Sequence, residues 1–167
     1  MTQEVKRNYL EIKSLKDLNE RGKPSEEYFI EILDPINFQL NKFFYKNIGN
    51  KHKWVDRLIW TEEKWIDYVS SENVKTYVLK CKDDLVGFFE LIYHQEKNEF
   101  EIAYLGILEE YQNKKLGSYL LSQAIKESFK KSIDRVWVHT CTLDHKNALN
   151  NYTTRGMKIF KTEIINI

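Results

Sequence analysis

The sequence predicts an α/β (α+β) fold, with a mixed, mostly antiparallel central sheet of about six to seven strands flanked by about four helices. Three observations support this class. Three strand-like runs separated by short polar turns occupy residues 75–108, which is typical of an antiparallel meander. An amphipathic helix pattern follows at 115–130. The apolar run 135–141 then predicts a further strand. Because a helix connects it to the strand at 99–108, these two strands are expected to be parallel.

The first third of the chain contains two strand patterns and one helix pattern. The runs Tyr9–Ile12 and Tyr28–Leu33 are short and apolar, and the polar stretch 17–25 separates them as a loop. Asp34 followed by Pro35 predicts a helix start, with Asp34 as the N-cap and Pro35 at the first helical position. Gly49 predicts the end of this helix.

A second helix is predicted at 62–70, because Thr61 is a favourable N-cap and two glutamates occupy the first turn. The preceding stretch, 50–60, contains two tryptophans, a histidine and an Asp–Arg pair. We interpret it first as a connecting loop held in place by its aromatic side chains.

The middle of the chain carries the meander and the longest helix. Strands are predicted at 76–81, 85–93 and 99–108, with turns at 82–84 and 95–98. The helix 115–130 has one apolar stripe. Its members are Leu116, Leu120, Leu121, Ala124, Ile125 and Phe129.

After the strand at 135–141, Asp144 is predicted to cap a short helix. That helix carries Ala148, Leu149 and Tyr152, and Gly156 closes it. A final strand is predicted at 157–165.

Composition excludes several classes of protein. The 167 residues are 42% hydrophobic with a net charge of +1, so nucleic acid and membranes are not predicted partners. The sequence predicts neither a leader with an apolar core nor a membrane span of about 18 apolar residues. Cys81 and Cys141 lie in apolar runs and predict buried, reduced thiols, hence a cytoplasmic protein. The histidines lack metal-ligand spacing, so no metal is predicted.

The loop 112–117 leads from a buried strand into a helix N-terminus, where free N–H groups and the helix dipole favour anions. Lys114 and Lys115 lie in this turn, although cations there oppose the dipole by about 0.3–1 kcal/mol each. A bound phosphate explains them, and a solvated, mildly unfavourable surface turn is the alternative.

The strand, Gln112-x-x-x-x-Gly117 and the helix together resemble the acetyl-CoA loop of the GNAT superfamily of N-acetyltransferases, except that Lys115 replaces a glycine. The run Asn147-Ala148-x-x-x-Tyr152-x-x-x-Gly156 resembles the second signature of that family. His145 stands where many members carry an asparagine that contacts CoA. The resemblance covers about residues 27–165. It extends to a bacterial subset of the family whose substrates are unknown.

The resemblance implies one GNAT domain over 1–167, with 1–26 as an N-terminal extension. It implies transfer of acetyl from the co-substrate acetyl-CoA to a primary amine of a small molecule or protein, by direct attack and without a metal. Expected partners are therefore acetyl-CoA and an amine acceptor, and a homodimer is left open. The alternative is a catalytically weak or inactive GNAT-fold module that binds CoA or another ligand.

The resemblance also implies a set of acetyl-CoA contacts. A backbone N–H near Leu105–Ile107 is expected to stabilise the oxyanion, and Gly106 is expected to allow close approach of the ligand. The pantetheine arm is expected to pair with the central strand where it splays from strand 135–141. The full set of expected contacts is Leu105, Gly106, Ile107, Leu108, Gln112, Asn113, Lys114, Lys115, Leu116, Gly117, Ser118 and Asn147.

The chemistry requires a base, since an amine of pKa near 10.4 is held protonated at pH 7 by about 4.6 kcal/mol. The resemblance implies Glu101 as the base, because it stands eleven residues before Gln112, where histone-type members of the family carry their catalytic glutamate; a plain surface carboxylate is the alternative, with Glu90 in reserve. The resemblance likewise implies Tyr152 as the acid for the thiolate, because the second signature places this tyrosine near the CoA sulfur, with core packing as the alternative. His139 could reach the site, but a buried, hydrogen-bonded histidine is the preferred interpretation. The resemblance implies that the stretch 50–60 lines the acceptor site, and the alternative is a connecting loop held in place by its aromatic side chains.

Overall fold

A computed structural model describes residues 2–167. Within this range the strands are β1 (Glu4–Ile12), β2 (Tyr28–Ile32), β3 (Val74–Cys81), β4 (Asp84–His94), β5 (Glu99–Ile107), β6 (Arg135–Cys141) and β7 (Lys158–Asn166). The α-helices are α1 (Phe38–Gly49), α2 (Glu62–Val69), α3 (Leu116–Ser128) and α4 (Ala148–Thr154). Short 3-10 turns occupy Leu15–Asp17 and Glu109–Tyr111.

All seven strands join one sheet in the order β2-β3-β4-β5-β6-β1-β7. Only the β5–β6 pair is parallel, and the neighbouring pairs on both sides are antiparallel. The predicted mixed, mostly antiparallel sheet with four helices is confirmed. The parallel pair arises because α3 carries the chain across one sheet face between β5 and β6.

Each sheet face has its own apolar core. The stripe of α3 is buried against β4 and β5, and Leu120, Leu121 and Ile125 are fully inaccessible to solvent. On the opposite face Phe44 of α1 stacks on Phe88 of β4 with ring centroids 5.1 Å apart. Burying such side chains contributes about 1.5–3 kcal/mol each, so the sheet is held from both sides.

The central strands separate part-way along their length. β5 and β6 pair only where Glu99–Glu101 lie beside Arg135–Trp137, and beyond these residues the two strands no longer pair. A bulge lies just beyond this point, since the β4–β5 register changes between Glu90↔Tyr104 and Leu91↔Ile102. The extra residue is Ala103. Bulges bend a strand and increase its twist, which fits the divergence of β5 from β6.

The separation leaves part of the β5 backbone unpaired. Leu108 N–H donates to Val86 O (2.8 Å), so the N–H of residue 108 points toward β4. Backbone direction alternates along an antiparallel strand. Leu105 and Ile107 therefore direct theirs to the other side, into the gap between β5 and β6.

Two predicted helix starts were wrong. Helix α1 begins at Phe38, not at Pro35, because Asn37 is the residue whose side chain accepts the Leu40 N–H (3.1 Å). Asp144 does not cap α4, which begins at Ala148. Its Oδ2 instead accepts from Thr140 Oγ1 and from Cys141 N (3.0 Å), which closes the turn after β6.

The thiols differ from expectation in one respect. Cys81 and Cys141 are unpaired, as predicted, but both are only partly buried.

Candidate active site

A cavity of about 550 Å³ lies between the end of β5, the start of α3 and helix α4. We call it the helix cavity. It lies beside the gap between β5 and β6, and Leu105 and Ile107 line it. The unpaired backbone of β5 and the N-terminus of α3 therefore belong to one site.

The loop before α3 has an unusual backbone. Asn113 and Lys115 both adopt left-handed conformations, with φ of 65° and 61°. Such a conformation costs a residue other than glycine about 1–2 kcal/mol. Lys115 occupies the N-cap position without a side-chain cap, so the first N–H groups of α3 have no cap from that residue. Gln112 Nε2 donates to Ile107 O (3.3 Å) and ties this loop to β5.

The charge of the helix cavity has one sign. Arg21, Lys115 and Arg155 line it, and none of its lining residues is Asp or Glu. Arg155 is 5% exposed, and its Nε has no hydrogen-bond partner within residues 2–167. Burial, and then the charge of Arg21, lower the pKa of Arg155. A bound anion would supply the missing counter-charge to all three.

Helix α4 is fastened to the start of α3 by Asn151. Its Nδ2 donates to Gly117 O (3.1 Å), and its Oδ1 accepts from Ser118 Oγ (3.0 Å). A side chain at Gly117 would lie 3.7 Å from Asn151 Nδ2, an ordinary contact. The two signature runs of the sequence are thus joined directly.

A second cavity of about 410 Å³ lies beside the gap and is lined by residues of β5, β6 and β1 and of the stretch 52–57. We call it the strand cavity. Its walls include Arg7, Trp54, Tyr104 and His139. The two cavities share His52, Leu105, His145 and Tyr152, so they meet where β5 leaves β6.

Glu101 lines the strand cavity and is held by a histidine. Its Oε1 lies 2.9 Å from Nε2 of His94. The His94 ring stacks on Trp137 with centroids 5.9 Å apart, which fixes its orientation. The side chain of Glu101 is 16% exposed, so solvent reaches it only in part.

Tyr152 lies at the junction of the two cavities. The residue is 8% exposed. Burial, and then the charge of Asp144, raise the pKa of Tyr152 above its ordinary value. Its phenol therefore remains protonated at neutral pH and can donate a hydrogen bond.

Glu90 is fully buried, and its carboxylate is already hydrogen-bonded to neighbouring side chains. Its carboxylate accepts from both terminal nitrogens of Arg57 (2.8 and 2.7 Å) and from Tyr68 (2.6 Å). Asn41 also donates to it (3.0 Å). Burial alone would lower the pKa of Arg57, but its hydrogen bonds and ion pair with Glu90 raise it overall. We therefore withdraw Glu90 as the reserve base.

His139 is half-buried and faces the strand cavity. Burial, and then the charge of Arg7, lower its pKa, against the opposing effect of Glu101. Its imidazole is thus neutral at pH 7, as a proton acceptor must be.

The structure brings most of the expected acetyl-CoA contacts to the helix cavity. Those lining it are Leu105, Gly106, Ile107, Gln112, Asn113, Lys115, Leu116, Gly117, Ser118 and Asn147. Leu108 and Lys114 are not among its lining residues. The N–H of Leu108 is bonded within the sheet, and the Lys114 ammonium lies 5.3 Å from the centroid of the Tyr111 ring.

Gly106 has a different immediate neighbour from the one expected. A Cβ at this position would lie 2.6 Å from Cγ2 of Ile48. Close approach at Gly106 is therefore made by α1, and the glycine allows that helix to pack against β5.

A sequence profile of the acetyltransferase (GNAT) family matches residues 28–157. The chain belongs to this family. The match contains the Gln112–Gly117 loop and the run from Asn147 to Gly156, which are the two parts that build the helix cavity. No curated protein matches this GNAT chain.

Solved structures share the fold at low sequence identity. A GCN5-related N-acetyltransferase from Sphaerobacter thermophilus superposes with a TM-score of 0.75 at 13% identity, over 99% of this chain and 52% of that one. This chain thus spans about half the length of that protein. An aminoglycoside acetyltransferase from an uncultured soil metagenomic sample, in complex with trehalose, gives 0.65 at 18% identity, over 80% and 90%. A Bacillus subtilis acetyltransferase in complex with CoA gives 0.61 at 21% identity, over 80% and 78%.

Sequence reasoning missed three charged residues of this GNAT site. Arg7 lines the strand cavity, whereas Arg21 and Arg155 line the helix cavity. Arg21 lies in a polar loop, and its backbone N–H is bonded to Ser122 Oγ of α3 (3.0 Å). Only the long-range contacts of the N-terminal segment bring Arg7 and Arg21 to the site, and no local pattern signals them, whereas Arg155 follows directly on α4. Within residues 2–167, none of the helices is long and apolar enough to cross a bilayer.

Proposed function

We propose that this GNAT protein is an N-acetyltransferase that binds acetyl-CoA in the helix cavity and an amine acceptor in the strand cavity. One observation carries the proposal. The helix cavity joins three cations, no lining carboxylate and a helix N-terminus in a single site. Such a site suits the phosphates of CoA.

The gap between β5 and β6 supports the placement of the pantetheine arm. The backbone of Leu105 and the N–H of Ile107 face this gap, and an extended amide-containing chain can pair with them as an added strand, whereas the Ile107 carbonyl already accepts from Gln112 Nε2 (3.3 Å). Pantetheine has two amides and no charge. Its thiol end would then lie near Leu105 and Tyr152, where the two cavities meet.

Transfer needs one bond made and one broken. The neutral amine nitrogen attacks the thioester carbonyl carbon, an N–C bond forms, and the C–S bond breaks. A backbone N–H of β5 near Leu105 supports the negative charge on the carbonyl oxygen during this step. We assign to Tyr152 the transfer of its phenolic proton to the departing thiolate, in step with cleavage of the C–S bond.

The proton lost by the amine passes to Glu101, directly or through one water, and His94 holds the carboxylate in position. The neutral imidazole of His139 lies on the same cavity wall and can relay this proton. Tyr152 recovers its own proton from solvent as the product leaves. No metal is required by this sequence of steps.

The first test is calorimetric titration with acetyl-CoA, CoA and dephospho-CoA, beside initial rates over a panel of amines. We expect micromolar binding and acetyl transfer to at least one amine. Arg21→Gln should weaken CoA binding, and Lys13→Gln, an exposed cation at the far side of the same loop, should not. Equal affinity of Arg21→Gln and the parent for all three ligands would contradict the placement of the phosphates.

A binding module without turnover is the second candidate, and the side chain of Lys115 at a glycine position favours it. Micromolar binding of acetyl-CoA with no transfer to any amine would support this alternative. We further propose one domain over 1–167 acting in the cytoplasm. The two unpaired thiols, Cys81 and Cys141, fit a reducing compartment.

A further inference from the structure

We propose that the acceptor is an amine that also carries a carboxylate, and that Arg7 binds this carboxylate in the strand cavity. This inference rests on the proposed function, because it names the class of acceptor for the same reaction. It concerns a part of the chain that lies before the family match, which begins at residue 28.

Arg7 lacks a close anionic partner. Its Nε is buried and has no hydrogen-bond partner within the described residues, 2–167. The nearest carboxylate contact is between Nη1 and Oε1 of Glu163, at 3.9 Å, which is longer than a hydrogen bond. That same oxygen of Glu163 already accepts the Tyr9 hydroxyl at 2.6 Å. The Arg7 side chain as a whole is 28% exposed and lines the strand cavity, so a carboxylate in that cavity can reach its guanidinium group.

The register of the strands places Arg7 level with Leu105 along the strand direction, where the thioester is proposed to lie. Arg7 lies opposite Cys141 across the β1–β6 pair. Glu101 lies beside Trp137 across the β5–β6 pair, and four further residues lead to Leu105 on β5 and to Cys141 on β6. Leu105, Cys141 and Arg7 therefore lie at similar heights, apart from the one-residue bulge in β5. Two strand spacings, from β5 across β6 to β1, amount to about 10 Å, and the gap between β5 and β6 adds to this distance.

The other charges of the strand cavity fit an acceptor of mixed charge. Arg57 is neutralised by Glu90, so it offers no free cation. Lys53 points its ammonium to Gln3 Oε1 (3.0 Å) and adds positive charge near the opening. Carboxylates of Asp56, Glu101 and Asp144 line other parts of the wall. An amino acid can present its ammonium to these carboxylates and its carboxylate to Arg7, whereas a polyamine has no group that pairs with Arg7.

The test compares each acceptor with a partner that lacks only the carboxylate charge. Initial rates with acetyl-CoA are measured for the common α-amino acids and for short ω-amino acids, each beside its amide. For the best acceptor we expect kcat/KM to exceed that of its amide by about tenfold or more. Arg7→Gln should bring the pair to within about threefold, and Arg7→Lys should keep part of the preference.

Lys6→Gln is the matched control. Lys6 is the adjacent residue of β1, is exposed and does not line the strand cavity. Its substitution therefore removes the same charge as Arg7→Gln without changing the site. We expect it to keep the full preference. Equal use of acid and amide by the parent protein would overturn the proposal, as would a preference that survives Arg7→Gln.

A binding measurement separates this inference from the proposed reaction. The same acids and amides are titrated calorimetrically into the CoA-saturated protein. Tighter binding of the acid that is lost in Arg7→Gln supports the carboxylate site even without turnover, in which case only the proposed reaction fails. Binding of acid and amide with equal affinity, or of neither, overturns the carboxylate site whatever the rates show.

Discussion

Nε2 of His94 lies 2.9 Å from Oε1 of Glu101, and the two residues come from neighbouring antiparallel strands. The histidine is itself held by stacking on Trp137 of β6. Three adjacent strands thus position one carboxylate at the entrance of the gap between β5 and β6. A plain surface carboxylate would not have this support.

Glu101→Gln should lower kcat by about 10²–10⁴-fold if the carboxylate is the general base. Acetyl-CoA affinity should remain within about twofold, because Glu101 lines only the strand cavity. Steady-state rates and calorimetry give the two values. Glu96→Gln, in the exposed turn between β4 and β5, is the control, and unchanged turnover of Glu101→Gln would remove the base assignment.

Tyr152→Phe should slow transfer by about one to two orders of magnitude, because the thiolate then leaves without a proton. Acetyl-CoA binding should persist, since the ring is kept. If the tyrosine serves only core packing, the variant would turn over at the parent rate. Thermal unfolding checks that the fold is unchanged.

Lys115 combines a left-handed backbone with a cation at the helix cavity, and two variants separate these properties. Lys115→Gly and Lys115→Ala both remove the ammonium, and both should weaken CoA binding by about twofold to fivefold. Only glycine relieves the backbone, so the Gly variant should unfold with a free energy about 1 kcal/mol above that of the Ala variant. Urea denaturation measures this difference. Lys114→Ala, outside the cavity, is the binding control.

Glu90→Ala should destabilise the protein by about 3–5 kcal/mol, because it leaves the Arg57 charge buried without a partner. The expected readout is loss of folded protein at moderate temperature, seen by circular dichroism. A stable variant with a specific loss of turnover would instead restore Glu90 as a candidate base.

His139 predicts a pH dependence of stability. Its pKa in the folded protein is lowered from about 6.5 by burial and by Arg7, so below pH 6.5 the unfolded chain binds a proton that the folded chain does not. Stability should therefore fall as the pH drops below about 6.5. In His139→Gln this loss should be smaller, as urea unfolding at pH 7.5 and pH 5.5 would show. Identical losses in both proteins would contradict the prediction.

Local signals predicted the elements well and the helix starts less well. Thr61 was correctly identified as a cap, and its side chain accepts from Lys64 N (3.2 Å). Asp34 and Asp144 are equally good caps by residue type. A cap is decided by which residue precedes the first helical turn, however, and that residue is Asn37 for α1 and Asn147 for α4.

Most contacts in the helix cavity could be predicted because they lie in two short motifs of fixed spacing. The role of Glu90 could not be predicted, because its partner Arg57 comes from the stretch 50–60, which has no regular pattern. Arg7 was missed for a similar reason. Its position depends on β1 joining β6 and β7, a pairing between residues more than 120 apart in sequence.

The short parallel contact between β5 and β6 has a mechanical consequence. Three residue pairs join the four-stranded half of the sheet to the half formed by β6, β1 and β7. We expect that junction to act as a hinge, whose opening angle would set the width of the gap. A ligand that bridges Leu105 and Ile107 to the far wall would act as a wedge of fixed size. We therefore expect the occupied protein to fluctuate less about this hinge than the empty one, with slower amide hydrogen exchange along β5 and β6.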